Sequence, residues 1–370
     1  MVVRRSATRG LWVVLSWAAG CQLVSGIPDE LSLAAGTGGG AGAPPAVCSR
    51  ELAPEAPAVN DVGGEAEFVV ALRSVVVVQD ADGVMPGLNL DGLCSCTEDD
   101  RACESLDPSN NSGLCDDGSG RDAGSTALFG GFAYVLEVTD VSGYLSQYAE
   151  TGQWSVLLRI RGYSGSDEDD QVEVAWYDSP GLAAAPTWQG SDPWPVASSA
   201  VIPGLGDMHA PRFVDAAAYV TGGRLVARLP QAAVQIQGGS MAVRMELLNA
   251  LVVARIEKTN VGAGYRLREG RIGGLMPVAN VFTTIASFRD HKGNPICSDA
   301  PFYPAMRQIS CRAVDMLLSG PPEEDTPCEA LSFGVDFDTG PAALGPVAPV
   351  SPPVAGCPPE TSPAAGNCNL

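Results

Sequence analysis

Hydrophobic and polar residues alternate along several stretches in the middle of the chain, and this period of two predicts β-strands. The alternation is clearest in residues 153–165 and 170–179. The apolar positions are Trp154, Val156, Leu158 and Ile160 in the first stretch and Val172, Val174 and Trp176 in the second. We therefore expect one face of each strand to be buried.

Other apolar, β-branched runs bounded by Gly or Asp predict further strands at 67–80, 131–143, 215–230, 265–274 and 331–340. Gly222 and Gly223 supply a hairpin turn within 215–230. The run 240–258 is ambiguous because Met, Leu and Ala also favour helices, but its Val-rich second half favours a strand.

Two segments near residues 276–318 show helical spacing instead. Pro277 suits a first helical turn, and apolar residues recur every three or four positions after it. These positions are Val278, Phe282, Ile285 and Phe288, then Met306, Ile309, Ala313, Met316 and Leu317. We expect a small helical insertion.

The predicted fold is mainly β, an antiparallel β-sandwich or jelly-roll-like domain with the helical insertion 276–318 on one edge. A Rossmann or barrel fold would need strands that alternate with helices, and the pattern does not alternate in that way.

Residues 1–20 have a basic start and a short apolar run, which is typical of an export signal. "AAGC" places small residues directly before Cys21 and resembles a lipobox, in which that cysteine is lipidated, although Ala18 stands where Leu is usual. Cleavage by ordinary signal peptidase is the alternative. We expect an outer-membrane lipoprotein of the bacterial envelope, or else a protein secreted in soluble form.

Composition divides the rest of the chain. Residues 21–58 include a Gly/Ala/Pro-rich stretch and are expected to be a flexible tether, 59–340 the folded domain, and 341–370, which hold eight Pro, an irregular tail. The formal net charge of −21 argues against nucleic acid as a partner and leaves the lipid anchor as the expected membrane contact.

Eleven cysteines suit an exported protein if Cys21 carries lipid, because ten then remain for disulfides. The candidates are Cys48, Cys94, Cys96, Cys103, Cys115, Cys297, Cys311, Cys328, Cys357 and Cys368. We expect local bridges within the acidic loop 94–115, for example Cys94 to Cys115, and the pairs Cys297–Cys311 and Cys357–Cys368. A zinc site at the loop is disfavoured by its ligand spacing.

Acidic turns raise calcium as an alternative to simple solvated loops. The candidate ligands are Asp80, Asp82, Asp116 and Asp117, although no turn has the EF-hand spacing. No other cofactor is expected.

Trp188 and Trp194 flank a polar turn, and exposed indoles on a β-fold can stack on sugar rings. The alternative is that both side chains fill the end of the core.

The chain has only two histidines, His209 and His291, and no His-Glu-x-x-His motif. "GYSGS" at 162–166 is not a nucleophile elbow. We therefore expect no enzyme, with a carboxylate-pair glycosidase as the rival.

The stretches "RGYSGSDEDDQVEVAWYDS", "WQGSDPW" and "CEALSFGVDF" resemble exported lipoproteins of myxobacterial type over roughly residues 60–345. The resemblance implies location and architecture and transfers no catalytic residue. The expected function is a non-enzymatic binding or structural module of the cell surface, for a glycan or another envelope component.

Overall fold

The computed structural model describes residues 48–58, 63–96, 101–107, 115–238, 241–290, 292–348 and 356–368. Over these ranges, the strands are β1 (Ala66–Val76), β2 (Ser155–Tyr163), β3 (Asp169–Ser179), β4 (Pro193–Val196), β5 (Phe213–Thr221), β6 (Arg224–Gly238), β7 (Met241–Lys258), β8 (Tyr265–Pro277) and β9 (Ala330–Val347). The helices are α1 (Ser125–Leu136), α2 (Val141–Glu150), α3 (Val278–Ser287) and α4 (Tyr303–Arg312).

Eight antiparallel strands pair in the order β1-β2-β3-β5-β6-β7-β8-β9, and β9 pairs back onto β1. The sheet therefore closes into a barrel, and the expected sandwich or jelly roll is wrong. Alternation reports only that one face of a strand is buried, and both architectures satisfy it. Beyond its pairing with β1, β9 runs parallel to the short strand β4.

The barrel interior is filled by side chains. The alternating residues predicted to face inward, from Trp154 to Ile160 and from Val172 to Trp176, are all buried, which confirms that expectation. The indole Nε1–H of Trp176 donates to the carbonyl of Ala233 across the interior at 2.7 Å. A cavity of about 20 Å³ beside Leu72 and Phe333 has room for about one water.

The helical insertion is confirmed as α3 and α4, but α4 ends at Arg312, and the predicted helical position Met316 instead forms a β-bridge with Ala330. Residues 131–143 lie in α1, α2 and the turn between them, not in the predicted strand. A short apolar run cannot be assigned to helix or strand by periodicity when nearly every side of it is buried. Phe129, Phe132 and Val135 of α1 all enter the core. Asp140 caps α2 by accepting from the Gly143 amide at 2.8 Å.

Helix α2 also continues the hydrogen bonding of β1 where β2 stops pairing with it, at Ala71. The Ser146 hydroxyl accepts from the Val75 amide and donates to its carbonyl, each at 2.9 Å. Ser142, one helical turn earlier, accepts from the Val77 amide at 3.1 Å. Two serines four residues apart therefore satisfy backbone groups at the end of β1 and directly after it, where β2 offers no partner.

The ten predicted cysteines form five disulfides, which confirms their oxidised state. The bridges are Cys48–Cys94, Cys96–Cys115, Cys103–Cys328, Cys297–Cys357 and Cys311–Cys368. The pairings expected from sequence proximity, Cys94–Cys115, Cys297–Cys311 and Cys357–Cys368, are wrong. Only one bridge, Cys96–Cys115, stays within the loop 94–115, because the fold brings distant segments against the others.

The described parts of the predicted tether and tail pack on the domain. Cys48 is bonded to Cys94, and the Tyr219 hydroxyl donates to the Pro54 carbonyl at 2.6 Å. β9 continues to Val347, past the expected boundary at 340. Residues 356–368 are held by two disulfides and by the Ser298 amide, which donates to the Thr361 carbonyl at 2.8 Å.

The predicted signal peptide, Cys21 and the start of the tether lie outside the described residues. Over the described part of the chain, no helix combines the length and the apolar character needed to cross a membrane.

Candidate functional site

A cleft of about 620 Å³ lies on the outer face of the barrel, across β6, β7, β8, β9 and β1. Its lining is dominated by charge. The arginines are Arg224, Arg255, Arg266, Arg268 and Arg271, and the acids are Glu257, Glu269, Asp336 and Asp338. Such a volume is typical of a small-ligand site.

Strand alternation sends these arginines outward. Leu225 and Leu267 are fully buried inside the barrel, so their neighbours Arg224, Arg266 and Arg268 face the outside. A β-bulge then shifts the alternation, because β8 advances three residues, from Arg268 to Arg271, while β7 retreats by two. Glu269, inside the bulge, has the left-handed backbone angle φ 49°. As a result Arg268, Glu269 and Arg271 all line the cleft.

Two of the arginines are held tightly by carboxylates. Arg266 donates to both oxygens of Glu257, at 3.0 and 3.2 Å. These hydrogen bonds, with the charges of the neighbouring arginines, lower the pKa of the Glu257 carboxyl. A fork of this kind fixes both side chains.

Arg271 approaches Glu51 at 2.8 Å, and the second oxygen of Glu51 accepts from the buried Arg121 at 2.9 Å. Burial alone would raise the pKa of Glu51, but hydrogen bonds and charge from the two arginines outweigh it, so the pKa is lowered. Glu51 therefore fastens the segment beside Cys48 to the margin of the cleft.

The lining of the cleft carries five arginines against four carboxylates, which is a local balance unlike that of the acidic chain as a whole. The whole chain carries −21, whereas residues 224–271 hold seven Arg and one Lys against three Glu. This local excess of arginine is the signal that the sequence offers for the cleft. The strand pairing was needed to show that residues far apart along the chain share one surface.

No protein-family model, curated protein or solved structure matches this chain.

The tryptophans proposed for sugar stacking are packed against the barrel. Trp194 is completely buried, and its ring lies 5.6 Å from that of Trp188. Trp188 lies directly on Gly340, where an added Cβ would come 2.3 Å from the indole, and the guanidinium of Arg73 sits 5.4 Å from its ring centre. A sugar cannot stack on Trp194 in this arrangement.

The four aspartates proposed for calcium do not form one site. Asp80 accepts from the amides of Asp82 and Val84 within an exposed turn. Asp117 accepts from the amides of Met85, Ser119 and Arg121. Among the described residues, no group of three or more His, Cys, Asp or Glu is placed to hold a metal ion. The oxygens of Asp80 and Asp117 instead serve backbone amides, as turn-forming aspartates do.

Asp116 belongs to a separate carboxyl cluster that the sequence did not reveal. Desolvation, with the charges of Asp91 and Asp315, raises the pKa of Asp116 to about 7. Desolvation, with the charge of Asp91, likewise raises the pKa of Asp315 to about 7. Desolvation raises the pKa of the buried Asp122 well above its usual value, and the charges of Asp91, Asp116 and Asp315 add to this effect. Raised pKa values in the folded state predict that the stability of the fold depends on pH.

Glycoside hydrolysis would need two carboxyls facing one cleft in complementary protonation states. In the cleft, Glu257, Glu269 and Asp338 each pair with arginine. Desolvation raises the pKa of Asp336, whose carboxylate accepts from the Gly87 amide at 2.8 Å. The dominant chemistry of the cleft is arginine, and arginine favours the binding of anions.

Proposed function

We propose that this protein is an exported binding module of the cell envelope, and that its arginine-lined cleft holds a small ligand with two or more negative charges. The observation that carries this proposal is the clustering of five arginines around one cleft of about 620 Å³ in a chain of net charge −21. Guanidinium groups bind carboxylates, phosphates and sulfates in two-pronged geometry.

The charge of the rest of the molecule limits the size of the ligand. A long polyanion would extend beyond the cleft onto an acidic surface, where like charges repel it. A short anion can stay within the cleft. Acidic sugar units of an envelope glycan have the required size and charge. A nucleic acid is a long polyanion, so the proposal excludes it.

The proposal also includes the cellular location of the protein. The basic and apolar residues 1–20, with Cys21 after small residues, support export and a lipid anchor. Five disulfides support an oxidising compartment. An outer-membrane lipoprotein fits these features, and the secreted form without lipid is the alternative.

Isothermal titration calorimetry of the oxidised protein at low salt tests the proposal. The probes are trigalacturonate, which carries carboxylates, tripolyphosphate, which carries phosphates, and neutral maltotriose. We expect an anion to bind with an affinity that falls as salt rises, and maltotriose to give no heat. The difference between the two anions identifies the preferred charged group.

Arg255→Ala should weaken binding of the preferred anion by about tenfold, since a hydrogen-bonded charge pair is lost. Arg161→Ala is the matched control, because Arg161 is as exposed as Arg255 but pairs with Glu67 and Glu173 outside the cleft. The proposal fails if neither anion binds, or if both variants weaken binding equally.

A further inference from the structure

We infer that the ligand lies across β6, β7 and β8 as an extended chain and presents one negative charge to each of Arg224, Arg255 and Arg268. This inference rests on the proposed function and specifies the ligand class, an oligomer with one anionic group per unit.

The arrangement that carries the inference is a row of like charges in register. Arg224 of β6 lies directly opposite Arg255 of β7, and Arg255 lies directly opposite Arg268 of β8. Like charges placed opposite one another on adjacent strands destabilise a sheet. A surface that served only stability would alternate the signs.

The lining of the cleft also contains a stabilising pair of opposite charges. Two residues along from the row, Glu257 lies directly opposite Arg266, and the two side chains form the two-pronged pair at 3.0 and 3.2 Å. Arg224 and Arg255 are held less closely, whereas Arg268 pairs with Asp338 of β9 at 3.1 Å. Arg224 is 3.8 Å and Arg255 is 3.3 Å from the carboxylate of Glu269.

Glu269 is therefore the internal counter-ion of Arg224 and Arg255, and Asp338 is that of Arg268. The two oxygens of Glu269 divide between arginines of different strands, and its side chain is 56% exposed. A ligand carboxylate that approaches from solvent can take its place on Arg224 and Arg255. The side chain of Glu269 then swings outward, since more than half of it is exposed to solvent.

Strand spacing sets the spacing of the ligand's charges. Adjacent strands lie about 5 Å apart, so the row of three arginines spans about 10 Å. A linear acidic oligosaccharide with one carboxylate per sugar places successive charges at a comparable interval. Three units match three arginines, and a fourth unit has no further arginine in the row.

Calorimetric titration with galacturonic acid oligomers of one to four units tests this inference. We expect affinity to rise about tenfold from one unit to two and again from two to three, and to change little at the fourth. Citrate, a compact anion with three carboxylates, should bind less tightly than the trimer. The plateau should move to two units in Arg224→Ala and in Arg268→Ala, and remain at three in Arg161→Ala.

Glu269→Gln should raise the affinity for the trimer several-fold because it removes the competing carboxylate. Glu67→Gln, an exposed glutamate outside the cleft, should leave it unchanged. Near-UV circular dichroism of each variant confirms that the fold is retained. If the monomer or citrate binds as tightly as the trimer, the extended-ligand inference is wrong while anion binding in the cleft stands. If no anion binds, the proposed function falls as well.

Discussion

Gly270 of β8 lies directly opposite Phe337 of β9, and the phenyl ring fills the place of the missing side chain. A Cβ on Gly270 would come 2.4 Å from the Cζ atom of that ring. Phe337 is buried in the barrel core. Because Gly270 also belongs to the bulge that turns Arg268 and Arg271 toward the cleft, this contact links core packing to the site.

Gly270→Ala should therefore destabilise the protein by about 1–3 kcal/mol, since the ring must shift within a filled core. The same change should weaken anion binding by disturbing the bulge. Gly130→Ala is the control, because an added Cβ at this exposed position in α1 meets no atom within 4 Å. That variant should be more stable by about 0.5–1 kcal/mol. Urea unfolding of both variants measures these changes, and an unchanged free energy of unfolding in Gly270→Ala would contradict the packing argument.

The Cys103–Cys328 bridge joins positions 225 residues apart, whereas Cys96–Cys115 joins positions 19 apart. In the chain-entropy model, the first loop closure stabilises by about 5 kcal/mol and the second by about 3 kcal/mol. Replacing both cysteines of the first pair by Ala should therefore lower the urea midpoint more than replacing both of the second. Equal midpoints for the two double variants would show that loop entropy does not govern these bridges.

Stability should fall as the pH rises from about 4 to about 7 and then level off. Burial raises the folded-state pKa values of Asp116 and Asp315 from the ordinary 3.8 to about 7, so the folded protein holds protons that the unfolded chain has released. Their contribution is complete below the unfolded pKa and is lost as the pH passes through the folded pKa. Melting temperatures measured across this range test the sign.

Asp116→Asn should reduce this loss of stability with pH. The Ser95 backbone amide, which lies 2.6 Å from the Asp116 carboxylate, can still donate to the side-chain carbonyl of the asparagine, and the asparagine carries no charge. Asp207→Asn, which changes an exposed turn residue, should leave the pH profile as it is. A melting temperature that rises from pH 5 to pH 7 in the unmodified protein would refute a protonated cluster.

Intact-mass analysis of the protein purified from its native membranes should give a chain that begins at Cys21 with attached lipid. Reduction should add ten hydrogens, two for each of the five bridges. A mature chain without lipid would favour ordinary signal peptidase and a secreted protein, and a smaller gain would mean fewer bridges.

Local pattern was enough to predict most of the strands and both helices of the insertion. Val156, Leu158 and Ile160 alternate with their neighbours because successive side chains of a strand point to opposite faces. The same signal failed for 131–143, where Phe132 and Val135 belong to a helix that is buried on several sides. Ten cysteines remain when Cys21 is set aside, and this even number predicted five bridges, because cysteines pair in an oxidising compartment.

Closure of the sheet, cysteine connectivity and the site depend on contacts between distant parts of the chain. No local feature of β1 or β9 indicates that they pair. Cys103 and Cys328 are 225 residues apart and come together only in the folded chain. Arg224, Arg255 and Arg268 become a single row through strand register, which a shift of one residue would abolish. The sequence shows where arginines are frequent, but folding determines which of them face one another.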